Sequence, residues 1–161
     1  MPHPLAPCLW FNGQAEPAAR FYCSIFPNSR ITRVVPFGAA GAFHNKPAEA
    51  VLSVEFELDG RPFSALNGGP QFTITEAVSF QVPCDTQAEI DRYWDALIAG
   101  GGQPAACGWL KDKFGVSWQV FPAQLLGWIA DPDPAKAARA MEAMMQMVKL
   151  DLATLKRAYE G

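Results

Sequence analysis

The residues best suited to chemistry in this chain are its histidines and cysteines, and both kinds are widely scattered. His3 stands near the amino terminus and His44 lies in a loop-like segment, so neither falls on a predicted strand. The four cysteines form no Cys-x-x-Cys pair, which is the common spacing of zinc sites and redox thiols. Cys107 is the best candidate nucleophile, but no histidine of the predicted strands is available to serve as its base. We therefore expect neither a zinc site nor a cysteine–histidine pair.

Acidic residues give equally little support for acid–base catalysis. Glu55 and Glu57 share one face of a predicted strand whose other face is apolar, and we expect them to be solvated or interfacial. Asp112 and Lys113 fall in a predicted turn. We therefore interpret Asp112 and Lys113 as residues that stabilise this turn, not as catalytic residues.

A set of polar and aromatic residues is better suited to binding than to catalysis. Strand alternation places Ser117, Gln119 and Phe121 on one face of the last predicted strand. If that face lines a concave sheet, the pocket is apolar with a few amide groups and suits a neutral or aromatic organic molecule. The alternative, that the aromatic rings fill a solid interior, stays open. The candidate ligand-binding residues are Trp10, Asn67, Gln71, Phe72, Cys107, Trp109, Ser117 and Gln119.

The elements that would position these residues follow a βαβββ order over residues 3–70. Apolar residues recur at helical spacing after the first strand, and the clearest signal is a hairpin in which Asp59-Gly60 supplies the positive-φ positions. Residues 38–47 have the composition of a loop. The strands are predicted at residues 5–12, 30–37, 52–58 and 61–67, and the helix at 15–26.

The same order recurs over residues 74–123. A shift of 72 residues superposes Phe21 and Tyr22 on Tyr93 and Trp94 of the second predicted helix, and it aligns the first strands of the two halves. The duplication predicts an α+β fold in which two βαβββ modules form a curled mixed sheet. The strands of the second half are predicted at 77–83, 107–110 and 116–121, and the helix, with an Asp85-Thr86 cap, at 87–99.

Residues 131–160 are predicted to form C-terminal helices, because Asp-Pro-Asp-Pro is typical of a helix start. Met141, Met144 and Met145 form a stripe that is interpreted as covering the domain or a partner subunit. A methionine surface that adapts to ligands is the alternative.

Composition limits the partners. The 161 residues are half apolar and carry a net charge of −3 without a basic stripe, so we expect one domain over residues 1–161 and no nucleic-acid partner. No apolar run approaches the roughly 20 residues that cross a bilayer, and no signal peptide is evident. The expectation is a cytoplasmic protein without a membrane partner.

Four stretches of the chain resemble the PhnB-like family, often labelled 3-demethylubiquinone-9 3-methyltransferase, of the vicinal-oxygen-chelate superfamily. This superfamily also contains glyoxalase I, bleomycin-resistance proteins and extradiol dioxygenases. The resemblance implies a sheet curled around a cavity, a homodimer and, in many members, one divalent metal held by four side chains. The stretches are LWFNGQA at 9–15, ALNGGP at 65–70, SFQV at 79–82 and CGWLKDKFGVSWQ at 107–119.

Carried over by position, the metal ligands of the superfamily fall near Ala6 or Pro7, near Asn67, at Ala77 and at Gln119. Alanine and proline side chains bind no metal, and neutral amides alone are poor ligands for transition metals. The resemblance combined with these residues therefore predicts that the ancestral metal site is lost.

The leading hypothesis is a homodimeric, metal-independent protein that binds a small organic molecule and needs no cofactor. The enzyme alternative is a methyltransferase, lyase or isomerase acting on a small aromatic or quinone-like substrate. No glycine-rich turn joins a strand to a helix in the manner of an S-adenosylmethionine site. A dimeric scaffold with a filled interior is the third reading.

Overall fold

The computed structural model describes residues 5–161, so His3 lies outside the described residues. The chain divides into two compact units, with the boundary between Ile74 and Thr75. Each unit contains one βαβββ module, which confirms the predicted α+β fold. The first contains β1 (Cys8–Phe11), α1 (Ala15–Ile25), β2 (Arg30–Pro36), β3 (Val51–Leu58) and β4 (Arg61–Asn67). The second contains β5 (Ser79–Cys84), α2 (Gln87–Ile98), β6 (Gln103–Pro104), β7 (Trp109–Lys111), β8 (Ser117–Pro122), α3 (Leu125–Ile129), α4 (Pro134–Met145) and α5 (Leu152–Glu160).

The first unit has a four-stranded mixed sheet in the order β1-β4-β3-β2. β1 runs parallel to β4, whereas β3 pairs antiparallel with both β2 and β4. The predicted hairpin is confirmed: Asp59 and Gly60 both have positive φ, at 48° and 72°, as a two-residue turn between twisted strands requires. One face of this sheet packs against α1. Its core includes Phe11, Val54, Phe56 and Ala65 from the strands and Ala18, Ala19 and Tyr22 from the helix.

The second unit repeats this arrangement, with a four-stranded mixed sheet in the order β5-β8-β7-β6. β5 pairs parallel with β8, and β7 pairs antiparallel with β8. Helix α2 begins with a capping box in which Thr86 accepts from the Glu89 N–H while the Glu89 side chain accepts from the Thr86 N–H. The apolar core of the unit includes Val82, Leu110, Trp118 and Val120 from the sheet and Ile90, Trp94 and Leu97 from α2.

The C-terminal helices pack onto the end of this second module. Asp133 and Asp151 cap α4 and α5 by accepting backbone N–H bonds. Part of the methionine stripe is internal, because Met144 packs against a buried cluster formed by Phe121, Leu125, Leu150 and Leu155. Met145 remains 61% exposed.

Three features differ from the sequence prediction. The two-residue strand β6 and the short helix α3 were not predicted, because neither is long enough to show periodicity. The prediction of a strand that begins at Cys107 is wrong. Cys107 has φ of 61° and lies in a 3₁₀ turn over Ala106–Gly108, so β7 begins only at Trp109. The turn is fixed by tertiary contacts, since the Cys107 and Gly108 N–H groups donate to Met147 and Val148 oxygens.

Candidate functional site

The second sheet has one apolar face, packed on α2, and one polar face. Alternation places Trp109 and Lys111 of β7 on the polar face, together with Gln119 and Ser117, the β8 residues with which they pair. Register brings them together: Lys111 and Ser79 both lie beside Ser117, while Trp109 and Gln81 both lie beside Gln119.

A cavity of about 240 Å³ opens on this polar face. It is smaller than the roughly 300–1,000 Å³ of sites for drug-sized ligands, so it suits a molecule of about one ring. Trp109 supplies a half-buried aromatic surface in its wall. Its lining also includes Glu76, Gln103, Lys111 and Ser117.

Ser117 is the least satisfied polar side chain of this cavity. It is only 1% exposed, and its hydroxyl has no hydrogen-bond partner within the described part of the chain. A buried hydroxyl without a partner costs about 1–3 kcal/mol relative to one that is paired. Less than 1 Å² of the oxygen is accessible, so a bound molecule could pair with this hydroxyl only after the side chains that cover it shift.

Two polar contacts fix the surroundings of Ser117. The Gln119 Nε2 donates to Ser79 Oγ at 2.7 Å, which orients the amide along the sheet. The Lys111 ammonium forms an ion pair with the Glu76 carboxylate at the edge of the cavity. That ammonium holds the pKa of Glu76 below its ordinary value through a hydrogen bond.

Asp112 supports this sheet from within, as the structural interpretation predicted. Its carboxylate accepts from the backbone N–H groups of Phe114 and Val116 and from the Trp118 indole N–H. It is 4% exposed and does not line the cavity. The turn between β7 and β8 is thus fixed by one buried carboxylate.

A second cavity, of about 400 Å³, lies in the first unit. It is found where the carboxyl ends of the parallel strands β1 and β4 meet, close to the first turn of α1. The residues that line this cavity include Asn12, Glu16, Phe37, His44, Lys46 and Gln71. Glu16 forms an ion pair with Arg20 at 2.6 Å, and the His44 ring lies against Phe37 with centroids 5.5 Å apart.

Asn67 also borders this cavity of the first unit, but its amide is engaged in the fold. Its Oδ1 accepts from the Ala15 N–H at 2.9 Å, and its Nδ2 donates to the Val51 carbonyl at 2.9 Å. This side chain links the start of α1 to the sheet. A ligand would have to compete with both bonds.

Trp10 and Phe72 form an aromatic contact in the first unit, with ring centroids 4.9 Å apart in an edge-to-face arrangement. The Trp10 indole donates to the Gly69 carbonyl at 2.8 Å. A Cβ at Gly68 would lie 2.2 Å from the indole ring, so glycine at this position is required by the close approach of the backbone to Trp10.

The predicted site residues therefore fall into two groups, one in each unit. Trp10, Asn67, Gln71 and Phe72 belong to the first unit, whereas Trp109, Ser117 and Gln119 share the polar face of the second sheet. Sequence reasoning missed Ser79, Glu76 and Lys111. Alternation from Trp109 would have indicated Lys111, but no local signal points to Glu76.

Cys107 does not belong to the strand of Trp109, as the predicted strand over residues 107–110 implied, because its left-handed backbone conformation lies in the turn before β7. The buried thiol of Cys84 is no better as a nucleophile, since burial raises its pKa to about 11 and keeps it protonated at neutral pH. Burial likewise raises the pKa of Cys23.

The residues at the positions of the superfamily's metal ligands do not fit a metal. Asn67 uses both polar atoms of its side chain in the fold, and Gln119 donates to Ser79. Ala6, Pro7 and Ala77 have no donor side chain. Between Leu5 and Gly161, no group of three His, Cys, Asp or Glu side chains is arranged to hold a metal ion.

Comparison with known protein families gives one match that covers most of the chain. The model of the 3-demethylubiquinone-9 3-methyltransferase family matches residues 3–121, which includes both βαβββ modules. No match was found among curated proteins.

Solved structures with the same fold include the PhnB protein of Bacillus cereus. It is 31% identical, and the match covers 74% of this chain and 99% of that chain with a TM-score of 0.65. A protein of Pseudomonas aeruginosa is 21% identical, covers 75% and 98% of the two chains and has a TM-score of 0.60. The fosfomycin resistance protein FosX of Mesorhizobium loti is 11% identical, with coverage of 76% and 92% and a TM-score of 0.52. The last two similarities concern the fold alone.

Proposed function

The chain belongs to the 3-demethylubiquinone-9 3-methyltransferase, or PhnB-like, family of the vicinal-oxygen-chelate superfamily, and we propose that it binds a small aromatic molecule without a metal. The binding site is the cavity on the polar face of the second sheet. The reaction, if the bound molecule is transformed, is unassigned.

The unpaired Ser117 hydroxyl carries this proposal. Folding tolerates a buried polar group without a partner when function requires that group. Ser117 and Trp109 line the same cavity, and an aromatic wall with one polar group that fixes orientation is the common composition of small-molecule sites. The cavity of the first unit is larger, but the amide of its best candidate, Asn67, is already paired.

The metal-independent part of the proposal is supported by the donor chemistry. Two of the four positions where many members of the superfamily hold a metal have alanine or proline here, and the amides at the other two, Asn67 and Gln119, have partners in the fold. Metal analysis of the purified protein tests it. Stoichiometric Ni, Zn, Fe or Mn that survives dialysis against a chelator would refute it.

The same proposal includes a cytoplasmic homodimer, an assembly that the superfamily resemblance favours. No helix in the described part of the chain is long and apolar enough to cross a membrane. Light scattering coupled to size-exclusion chromatography measures the assembly. A mass near 17.5 kDa at micromolar concentration would contradict the dimer.

A thermal-shift screen with one-ring aromatic and quinone-like compounds tests binding, since a ligand selective for the folded state raises Tm. Ser117→Ala should abolish the shift of any hit, whereas Ser24→Ala, which removes an exposed hydroxyl bonded to the Phe21 carbonyl, should preserve it. S-adenosylmethionine belongs in the same screen. A selective shift with that compound would favour the methyltransferase of the family name, and silence across the aromatic set would refute the binding proposal.

A further inference from the structure

Lys111 and Ser117 face each other across the β7–β8 pair, where they are directly paired in register. Side chains in such antiparallel pairs have Cβ atoms about 4.5–5.5 Å apart. A cation and an unpaired hydroxyl therefore share one wall of the cavity, with Trp109 two residues away on the same face. Together they resemble a receptor for a carboxylate: one positive charge and one hydroxyl donor beside an aromatic surface.

The present counter-ion of Lys111 is exchangeable. Glu76 lies in the segment before β5, its side chain is 62% exposed, and its carboxylate reaches the ammonium at the edge of the cavity. Exposed ion pairs of this kind contribute little to stability. The Lys111 side chain is less exposed than that of Glu76, at 36%, so its position is the better fixed of the two.

We propose that Glu76 is an internal stand-in for the carboxylate of the ligand, and that the site takes a one-ring aromatic carboxylate. The ligand carboxylate displaces Glu76 from Lys111 and, once the side chains that cover the Ser117 oxygen have shifted, accepts a hydrogen bond from the Ser117 hydroxyl, while the ring packs on Trp109. This inference rests on the binding site proposed above and adds the charge of the ligand and the residue that competes with it.

Because Glu76 competes with the ligand for Lys111, removing the Glu76 carboxylate should increase the affinity for the ligand. Glu76→Gln should increase the affinity for benzoate at least threefold, because the ligand no longer has to displace a charge. Lys111→Gln should weaken benzoate binding at least tenfold. Neither change should alter the affinity for benzamide, which has the same ring and no charge.

The experiment is a titration of isotopically labelled protein with benzoate and with benzamide, followed through the backbone amide signals of Trp109, Lys111 and Ser117. Glu160→Gln serves as the matched control, since Glu160 forms an exposed pair with Lys156 on α5 and should leave both affinities unchanged. The spectrum of each variant also reports whether it is folded.

Equal affinities for benzoate and benzamide in all variants would overturn the inference, while saturable, Ser117-dependent binding of either compound would retain the proposed site. Weaker benzoate binding in Glu76→Gln would also overturn it. If neither compound shifts these three signals, the inference and the proposed site fail together.

Discussion

The carboxylate of Asp112 accepts a hydrogen bond from the indole N–H of Trp118 at 2.8 Å, and both residues are buried. The same carboxylate accepts two backbone N–H groups of the turn that leads into β8. The Asp112 side chain thus links the turn before β8 to Trp118 on the apolar face of that strand. Ser117 lies on the opposite face of the same strand.

Replacement of Asp112 should destabilise the protein strongly. Asp112→Ala leaves three buried donors without an acceptor, and we expect the free energy of unfolding to fall by about 2–4 kcal/mol. Asp112→Asn should lose less, because its carbonyl oxygen still accepts. Urea denaturation measures both. The control is Asp95→Ala, which breaks an exposed contact with Lys149 and should cost less than about 1 kcal/mol; equal losses for Asp112→Ala and this control would contradict the account.

Alanine substitutions at two glycines with positive φ should distinguish the energetic cost of backbone strain from that of a steric clash. Gly108 (φ 80°) and Gly115 (φ 89°) both occupy the left-handed region, but a Cβ at Gly108 would lie 2.6 Å from the Val120 carbonyl, whereas Gly115 has open space. Gly115→Ala should cost about 1 kcal/mol of strain. Gly108→Ala should cost about 3 kcal/mol, because overpacking adds to that strain. In chemical denaturation, Gly108→Ala should therefore have a lower unfolding midpoint than Gly115→Ala. Coincident curves would mean that the β8 backbone moves away from the added Cβ at little energetic cost.

Asn67 should matter for stability more than its position beside a cavity suggests. Asn67→Ala removes the bonds to the Ala15 N–H and the Val51 carbonyl, and we expect a loss of about 2 kcal/mol in the free energy of unfolding. Asn12→Ala is the control, since Asn12 lines the same cavity without a side-chain hydrogen bond among the described residues. A loss confined to ligand affinity, with stability unchanged, would instead assign Asn67 to binding.

Tyr159 and Asp131 should give stability a pH dependence at both extremes. The Tyr159 hydroxyl donates to Asp131 Oδ2 at 2.6 Å, which lowers the pKa of Asp131 and raises the pKa of Tyr159. The Asp131 contribution is present above the ordinary carboxyl pKa and is lost as pH falls through its lowered value. The Tyr159 contribution is present below the ordinary phenol pKa and is lost as pH rises through its raised value.

The variant Tyr159→Phe removes this bond while retaining the ring that stacks on Trp128. It should be less stable than the native protein at pH 7, and the difference should shrink in strong acid and in strong base. Denaturation series across pH measure the difference. A gap that stays constant from pH 2 to pH 12 would show that the two groups do not titrate together.

Ser117→Ala should act in opposite directions on stability and binding. Removal of an unpaired buried hydroxyl should leave the free protein as stable as before or raise its Tm, since the desolvated group no longer has to be accommodated. The same change should weaken the binding of aromatic ligands. Thermal unfolding with and without a hit compound measures both effects, and a clear loss of stability without ligand would indicate that Ser117 has an internal partner.

The sequence by itself determined the two βαβββ modules, the Asp59-Gly60 hairpin and the family. These follow from periodicity, turn chemistry and local motifs, which act over a few residues and can be detected without tertiary information. It also placed Ser117 and Gln119 on one face of the last strand, because strand alternation assigns faces.

Only the tertiary structure decided which polar groups have hydrogen-bond partners within the fold. Asn67 and Ser117 were equivalent candidates in the sequence, yet the first is paired with groups 16 and 52 residues away, and the second has no partner in the described chain. The ion pair of Lys111 with Glu76 likewise depends on where the segment before β5 lies. Strand register and loop path bring distant residues into contact, and no local pattern encodes whether a hydrogen-bond partner is present.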